Sequence, residues 1–185
     1  MLFRSWITNR GSQTQNIRNV IGFQDLAESD AIKTALDDRI PNFFTGKNPN
    51  SPPSNDNNGL NPEAIDQEGL LKGGIRDIAT VSKAFGPHNN KFNEGFDYAV
   101  LESARKLNTN EYKFHPQLGY ISLNQRLSND EVLAVAFQYT FRGKVYQVGE
   151  FANGSVETTS INQNQPGQAP VVNNNTLVVK LLKSN

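Results

Sequence analysis

The chain has 185 residues, contains no cysteine, and carries 18 Lys and Arg against 18 Asp and Glu, for a formal net charge of zero. The lack of thiols excludes a disulfide framework and a thiolate zinc site, and the neutral balance gives no electrostatic reason to expect a nucleic acid or an anionic membrane as partner. No apolar run approaches the roughly 20 residues of a membrane helix, so we expect no direct membrane insertion of this segment. A chain of this length can bury about 70% of its unfolded surface, which is enough for a single domain over residues 1–185.

The N-terminal part of the chain predicts short elements separated by polar stretches. Residues 2–8 alternate loosely between apolar and polar side chains and predict a strand, and residues 19–23 predict a second strand. Residues 25–37 place apolar side chains among helix-forming Ala and Glu, which predicts a short helix. Residues 46–62 are rich in Asn and Pro without apolar periodicity, so we predict a mobile loop. Residues 75–81 are compatible with a helix or with a strand.

The middle of the chain is ambiguous at first and then clearly β-like. Residues 96–107 fit both a helical stripe and a strand face. Strand-like segments follow at residues 111–114 and 120–123, around a turn at 116–119 that contains Pro and Gly. Because of this density of strand signals, we predict a strand over residues 98–107.

A β-hairpin is the clearest local prediction. Residues 132–141 and 144–151 are rich in β-branched and aromatic side chains, which fit a pleated surface. The two residues between them, Arg142-Gly143, suit a primed turn, in which glycine easily adopts the positive φ that the turn requires. A two-residue loop places Tyr139 opposite Tyr146.

The C-terminal part predicts one more loop and one more strand. Residues 162–175 are polar and predict a second mobile loop, and residues 178–182 predict a strand that we expect at an exposed edge of the sheet. Together these elements predict a mainly β domain: an antiparallel, β-sandwich-like architecture with one or two short helices and long polar loops. The abundance of Gly, Pro and Asn favours a soluble domain over the strands of a membrane barrel.

Several segments closely resemble the SprA/Sov family. They are residues 117–124 (QLGYISLN), 130–136 (DEVLAVA), 146–150 (YQVGE), 104–107 (ARKL), 111–112 (EY), 177–183 (LVVKLLK) and 7–10 (ITNR). The resemblance is concentrated in residues 96–185 and 2–28, with few matching residues between them. It includes no active-site motif.

This resemblance implies a place in a large machine. Members of the family are very large outer-membrane and cell-surface proteins of Bacteroidetes-type bacteria, associated with gliding motility and type IX protein secretion. The resemblance implies that this chain is an internal soluble segment of a giant β-barrel translocon. Its partners would be the rest of the parent, its accessory proteins and secreted cargo. We expect the outer membrane or cell surface as location, and we favour the extracellular side because outer-membrane barrels have their long loops there.

Residues that could bring chemistry are few. His88 and His115 are the only histidines, and each stands in a predicted turn, whereas a metal site needs several convergent donors. Residues 54–59 (SNDNNG) faintly resemble a calcium loop, but the twelfth position, counted from residue 55, is Asp66 and not Glu. A nucleophile-elbow motif is also missing. We therefore assign no catalytic, cofactor-binding or metal-binding residue, and we expect no cofactor and no enzymatic activity.

A binding function is the alternative to a role in secretion. Aromatic rings can stack on sugars, so tyrosines on one face could make this chain a cell-surface module that binds carbohydrate or another ligand. The more common role of such residues is a half-buried position in a strand, with the hydroxyl at the rim of the core. The tyrosines in question are Tyr98, Tyr112, Tyr120, Tyr139 and Tyr146.

Overall fold

The computed structural model describes residues 2–11, 13–24, 26, 73–151, 159–162 and 171–184. Within these residues the chain forms ten strands and three short 3-10 turns. The strands are β1 (Leu2–Ile7), β2 (Ile17–Phe23), β3 (Tyr98–Lys106), β4 (Tyr112–His115), β5 (Tyr120–Leu123), β6 (Leu133–Phe141), β7 (Lys144–Val148), β8 (Thr159–Asn162), β9 (Val171–Asn174) and β10 (Leu177–Lys183). The 3-10 turns are Gly73–Arg76, Val81–Lys83 and Gly86–Lys91.

The main sheet closes on itself. Its strand order is β1-β3-β2-β10-β6-β7, and β1 also pairs with β6, so five strands form a barrel and β7 extends from β6. The prediction of a mainly β domain is confirmed, but the sheet is barrel-like and not clearly a sandwich. The sheet is also not purely antiparallel, because β10 pairs with β2 in parallel. The expectation of an exposed edge at residues 178–182 is wrong, since β10 lies between β2 and β6.

Small side chains make room inside the barrel. A closed sheet of eight strands is just wide enough to be filled by side chains, so five strands enclose less space. Gly22, Ala134 and Ala136 face this interior, and a Cβ added to Gly22 would stand 3.1 Å from Cδ1 of Leu181. The rest of the interior is filled by larger side chains, including Trp6. The barrel is therefore a packed core.

A bulge in β3 helps this sheet to bend. The register between β2 and β3 shifts between Arg18 and Val20, and Ser103 on β3 has φ 50°. The side-chain oxygen of Asn19 accepts a hydrogen bond from the backbone N–H of Ser103 at 2.8 Å, which replaces a missing ladder bond. Bulges increase the local twist and curvature of a strand, as a small barrel requires.

A second apolar layer covers one outer face of the barrel. The segment with the 3-10 turns packs its buried side chains, Phe85 and Phe92 among them, on outward-facing residues of the barrel strands such as Phe23 and Tyr98. Phe85 stacks on Phe92 with ring centroids 4.3 Å apart and meets Phe23 edge-on at 6.0 Å. The covered stretches of these strands, 20–23 in β2, 98–101 in β3 and 177–179 in β10, are therefore buried on both faces, which explains why they contain no polar residue other than the Tyr98 hydroxyl.

The β4–β5 hairpin covers another part of the barrel. Phe3 of β1 stacks on Phe114 at a centroid distance of 5.0 Å and contacts Tyr112 at 5.3 Å. A small third cluster of Ile7, Leu107 and Leu133 is buried under side chains of this hairpin and of the residues that follow it.

The local sequence predictions have different outcomes. The strands at residues 2–8, 19–23 and 98–107 are confirmed as β1, β2 and β3. Of the residues that could be helix or strand, 75–81, two end the first 3-10 turn, residues 77–80 form a turn, and Val81 begins the second 3-10 turn. The predicted helix at 25–37, apart from the isolated Leu26, and the predicted loop at 46–62 lie outside the described residues. Of the predicted loop at 162–175, residues 163–170 also lie outside them, whereas Val171–Asn174 form β9.

The predicted hairpin has the predicted register. Tyr139 pairs with Tyr146, and Phe137 pairs with Val148. Both residues of the connecting turn have positive φ, 49° at Arg142 and 77° at Gly143. This is the signature of a type I′ turn, whose twist matches that of the strands it connects.

Candidate functional site

Buried polar groups gather where β7 ends and β10 takes its place beside β6. Gly149 has φ 74° at this junction, and the next residue, Glu150, is only 2% exposed. The backbone N–H of Glu150 donates to the Val178 carbonyl at 2.8 Å, and its carboxylate accepts the Val178 N–H at 2.8 Å. Glu150 therefore pairs with Val178 of β10 through both its backbone N–H and its side-chain carboxylate.

Arg76 binds the same carboxylate and so attaches the covering segment to the barrel. Its two terminal nitrogens donate to the two oxygens of Glu150 at 2.6 and 2.7 Å. It also donates to the Thr176 carbonyl at 3.0 Å, and its own carbonyl accepts the Thr176 N–H at 2.9 Å. This bidentate arrangement is the strongest form of an arginine–carboxylate contact. It links three segments that are distant in sequence.

A second arginine lies near this pair but lacks a carboxylate of its own. Arg18 donates from Nη2 to the Asn175 carbonyl at 3.0 Å, and its Nε is buried without a partner among the described residues. Burial lowers the pKa of Arg18, the positive charge of Arg76 lowers it further, and Glu150 acts in the opposite direction. Glu150 accepts hydrogen bonds from Arg76 and not from Arg18, so Arg18 keeps unused donor capacity.

Arg18 lines a cleft of about 210 Å³ at one mouth of the barrel. Two further cations line it, Arg4 from β1 and Lys106 from the end of β3, whereas Trp6 and Phe151 supply apolar walls. Asn16, Ile17 and Leu177 complete the lining. No carboxylate lines this cleft among the described residues. We call this cleft, with the eight residues that line it, the basic cleft.

The alternation of side chains along the strands explains why these cations converge. Side chains two positions apart lie on the same face of a strand. Arg4 therefore shares the inward face with Trp6, and Lys106 shares it with the interior residue Ala104. Arg18 and Lys106 lie where the inward-facing rows of β2 and β3 end, whereas Arg4 lies between Leu2 and Trp6 on the inward face of β1.

A separate ion pair lies on the other side of β3. Nη1 of Arg105 donates to both carboxylate oxygens of Glu111 at 2.7 and 2.8 Å, and the Asn108 N–H donates to one of them at 2.7 Å. Partial burial by itself raises the pKa of Glu111, but the Asn108 and Arg105 contacts outweigh it, and the pKa lies below its usual value of 4.5. These contacts fix the approach to the β4–β5 hairpin.

The residues considered from the sequence do not assemble a site. His115 is in β4, where its ring stacks on Tyr120 at 4.4 Å, and His88 lies in the 3-10 turn Gly86–Lys91. No group of potential metal ligands occurs among the described residues. The calcium-like residues 54–59 are outside the described part of the chain.

The five tyrosines occupy three separate places. Tyr98 is buried under the covering segment, whereas Tyr139 and Tyr146 stack on each other at 5.3 Å in the β6–β7 hairpin. Tyr112 and Tyr120 are both in the β4–β5 hairpin, but they face opposite sides of it because their positions differ in parity across the registered pairs. They do not form one continuous aromatic face.

Sequence reasoning missed both Glu150 and the basic cleft. The sequence pattern places Glu150 at the end of a hairpin strand, and only its position beside β10 makes it a buried anchor. Arg4, Arg18 and Lys106 are far apart in the sequence, and the neutral net charge of the chain hides their local excess. The sequence does contain one indication of the basic cleft, because the alternation along the first strand puts Arg4 on the same face as Trp6.

Comparisons with known proteins agree with the resemblance seen in the sequence. No curated protein matches the chain. Within the described residues, no helix has the length and apolar character needed to cross a membrane. A family model, SprA_N, described as a motility related/secretion protein, matches residues 2–141. The matched range includes residues 29–95, where the sequence shows few residues typical of the family, and it includes β1 to β6. The chain therefore belongs to the SprA_N family of motility- and secretion-related proteins.

Proposed function

We propose that this chain is a non-enzymatic, β-rich domain of a SprA-like outer-membrane protein, and that it takes part in type IX protein secretion and gliding motility. The observation that carries the proposal is the family match over residues 2–141. That stretch contains four of the five barrel strands, β1, β2, β3 and β6, together with the covering segment. The matched unit is thus most of a structural domain and not an isolated motif.

A non-catalytic role is supported by how the buried groups are used. The barrel interior is filled by side chains, whereas enzyme sites are usually open clefts with a few convergent polar groups. The buried carboxylate of Glu150 is occupied by Arg76 and by the Val178 N–H. The partners of the chain would be the rest of the parent protein, accessory subunits and secreted cargo, at the outer membrane or cell surface, with the extracellular side favoured.

The test is replacement of residues 2–184 in the parent gene by a flexible linker. Leu2 is registered opposite Gln138 of β6, and Lys183 is registered opposite Leu133 of the same strand. Five residues along a strand span about 17 Å, so the two ends lie roughly 20 Å apart and a Gly/Ser linker of about 12 residues bridges them. A strain with the intact domain is the control.

Three quantities are measured: the amount of parent in the outer membrane, cargo secretion, and spreading on a surface. We expect a normal amount of parent with lost secretion and lost gliding. Normal secretion together with lost adhesion or spreading would contradict the proposal and support the surface-binding alternative. A screen of the purified chain with generic glycosidase and esterase substrates tests the non-enzymatic part, and turnover of any of them would refute that part.

A further inference from the structure

The basic cleft at the barrel mouth has the composition of a ligand site. Its three cations, Arg4, Arg18 and Lys106, meet no carboxylate among the described residues that line it. Trp6 and Phe151 are 4% and 7% exposed, so the apolar walls are held rigidly by the barrel core. Charged side chains beside rigid apolar walls favour a ligand that carries a negative charge on an apolar body.

Arg18 is the residue that most needs such a ligand. Its Nε is buried and unpartnered among the described residues, and its only hydrogen-bonded acceptor there is the neutral Asn175 carbonyl. Glu150, a carboxylate whose charge acts on Arg18, already accepts two hydrogen bonds from Arg76 and one from Val178. The Nη1 nitrogen of Arg18 makes no hydrogen bond to a described residue and is the donor that a ligand can reach. A guanidinium binds a carboxylate more strongly than it binds a single carbonyl oxygen.

The size of the cleft limits the ligand. Its volume of about 210 Å³ is below the roughly 300–1,000 Å³ of sites that enclose a whole small molecule. It therefore has room for a carboxylate and one adjoining apolar side chain, and the rest of the ligand would lie outside the cleft.

We propose that the basic cleft binds a peptide carboxylate that is accompanied by an apolar residue. Arg18 contacts the carboxylate, Arg4 and Lys106 supply the surrounding positive field, and the apolar part lies against Trp6 and Phe151. This site goes beyond the proposed role in secretion and does not depend on it, because binding is measured on the purified chain.

The experiment uses the only tryptophan of the chain, Trp6, as a fluorescent reporter in the wall of the cleft. Three N-acetylated dipeptides are titrated into the 185-residue chain. Phenylalanyl-glutamate with an amidated C-terminus offers a side-chain carboxylate, and phenylalanyl-glutamine with a free C-terminus offers a main-chain carboxylate. Phenylalanyl-glutamine amide has the same size and is neutral.

We expect saturable changes in Trp6 emission with at least one carboxylate peptide, and the comparison of the two shows which carboxylate is preferred. The neutral peptide should bind at least roughly tenfold more weakly, because one hydrogen bond to a charged group contributes about that factor in affinity. Added salt should weaken the binding of the charged peptides. Equal binding of the neutral peptide, or binding of no carboxylate peptide, would overturn the proposal.

Variants locate the binding in the cleft. Arg18→Gln should lower the affinity roughly tenfold, while Lys113→Gln, an exposed cation on β4, should leave it unchanged. Lys106→Gln provides a test that does not remove a buried group. We expect it to lower the peptide affinity about threefold, because it weakens the positive potential in the cleft. Unchanged affinity in both cleft variants would refute the assignment. Tighter binding of inorganic phosphate or of a single-stranded oligonucleotide than of either carboxylate peptide would refute it too.

Discussion

The substitution Glu150→Gln tests whether the buried ion pair holds the covering segment on the barrel. The carboxylate is 2% exposed and accepts three hydrogen bonds, two from Arg76 and one from the Val178 N–H. Glutamine keeps the size of the side chain but removes its charge and replaces one acceptor by a donor that faces the guanidinium. Arg76, 19% exposed, and the nearby Arg18 are then left without a compensating negative charge.

The expected loss is large because the pair is buried. Removing one partner of a buried ion pair typically costs about 3–5 kcal/mol, and the low exposure of Glu150 gives no reason to reduce this figure for solvent screening. Domains of this size have a total stability of about 5–15 kcal/mol. The substitution should therefore remove about a fifth or more of the stability and lower Tm by roughly 6–20 °C.

The assay is urea unfolding followed by the fluorescence of Trp6, with the free energy obtained by linear extrapolation. Glu102→Gln is the matched control, since Glu102 is exposed on β3 and the same chemical change there should cost within about 0.5 kcal/mol. Combining Glu150→Gln with Arg76→Met should restore part of the loss, because the orphaned charge is removed with its partner. A loss below about 1 kcal/mol for Glu150→Gln would refute this reasoning.

Three further predictions concern packing and pH. Gly149→Ala should lower the free energy of unfolding by about 1–2 kcal/mol because of the left-handed backbone, and by a further amount because the added Cβ would stand only 3.1 Å from the nearest carbon. Gly143→Ala, with a similar φ and open space around it, should show the backbone cost alone. Equal losses of unfolding free energy for the two variants would disprove the close contact at Gly149. Phe85→Ala should cost about 3–5 kcal/mol, since the ring is fully buried between the covering segment and the barrel, and a loss under 1 kcal/mol in urea unfolding would contradict that packing. The Glu111 contact with Arg105 should stabilise the fold above pH 4.5 and lose its effect as pH falls through the lowered folded-state pKa of Glu111. The free energies of unfolding of the wild type and of Glu111→Gln should therefore converge in acid. A constant difference between them across that pH range would exclude the linkage.

Much of the secondary structure follows from local sequence patterns. The β6–β7 hairpin is predicted in the correct register because its partners are separated by two turn residues, so turn chemistry alone fixes the pairing. The strand at residues 98–107 is recognised from the density of neighbouring strands, although its own pattern is ambiguous. Only the hairpin is decided by interactions within a few residues, because the strand at 98–107 pairs with β2 and β1, which are far away in the sequence.

The sequence misleads where partners are distant. From the sequence we expect residues 178–182 at an exposed edge, but they lie between β2 and β6, where Val178, Val179 and Leu181 are buried. Closure of the sheet depends on β1 meeting β6, more than 120 positions away, as when Phe3 pairs with Phe137. A strand pattern states which residues are apolar and does not identify the neighbour that will cover them.

The sequence by itself determined that this chain is mainly β, where most of its strands lie, and the family to which it belongs, because strand propensity, turn residues and family motifs are all carried by short segments. Only the tertiary structure decided that the sheet closes, that Glu150 becomes a buried anchor, and that Arg4, Arg18 and Lys106 meet at one mouth of the barrel. The physical reason is that burial and the local electrostatic field depend on which residues are neighbours in space, and a net charge of zero contains no information about such neighbours.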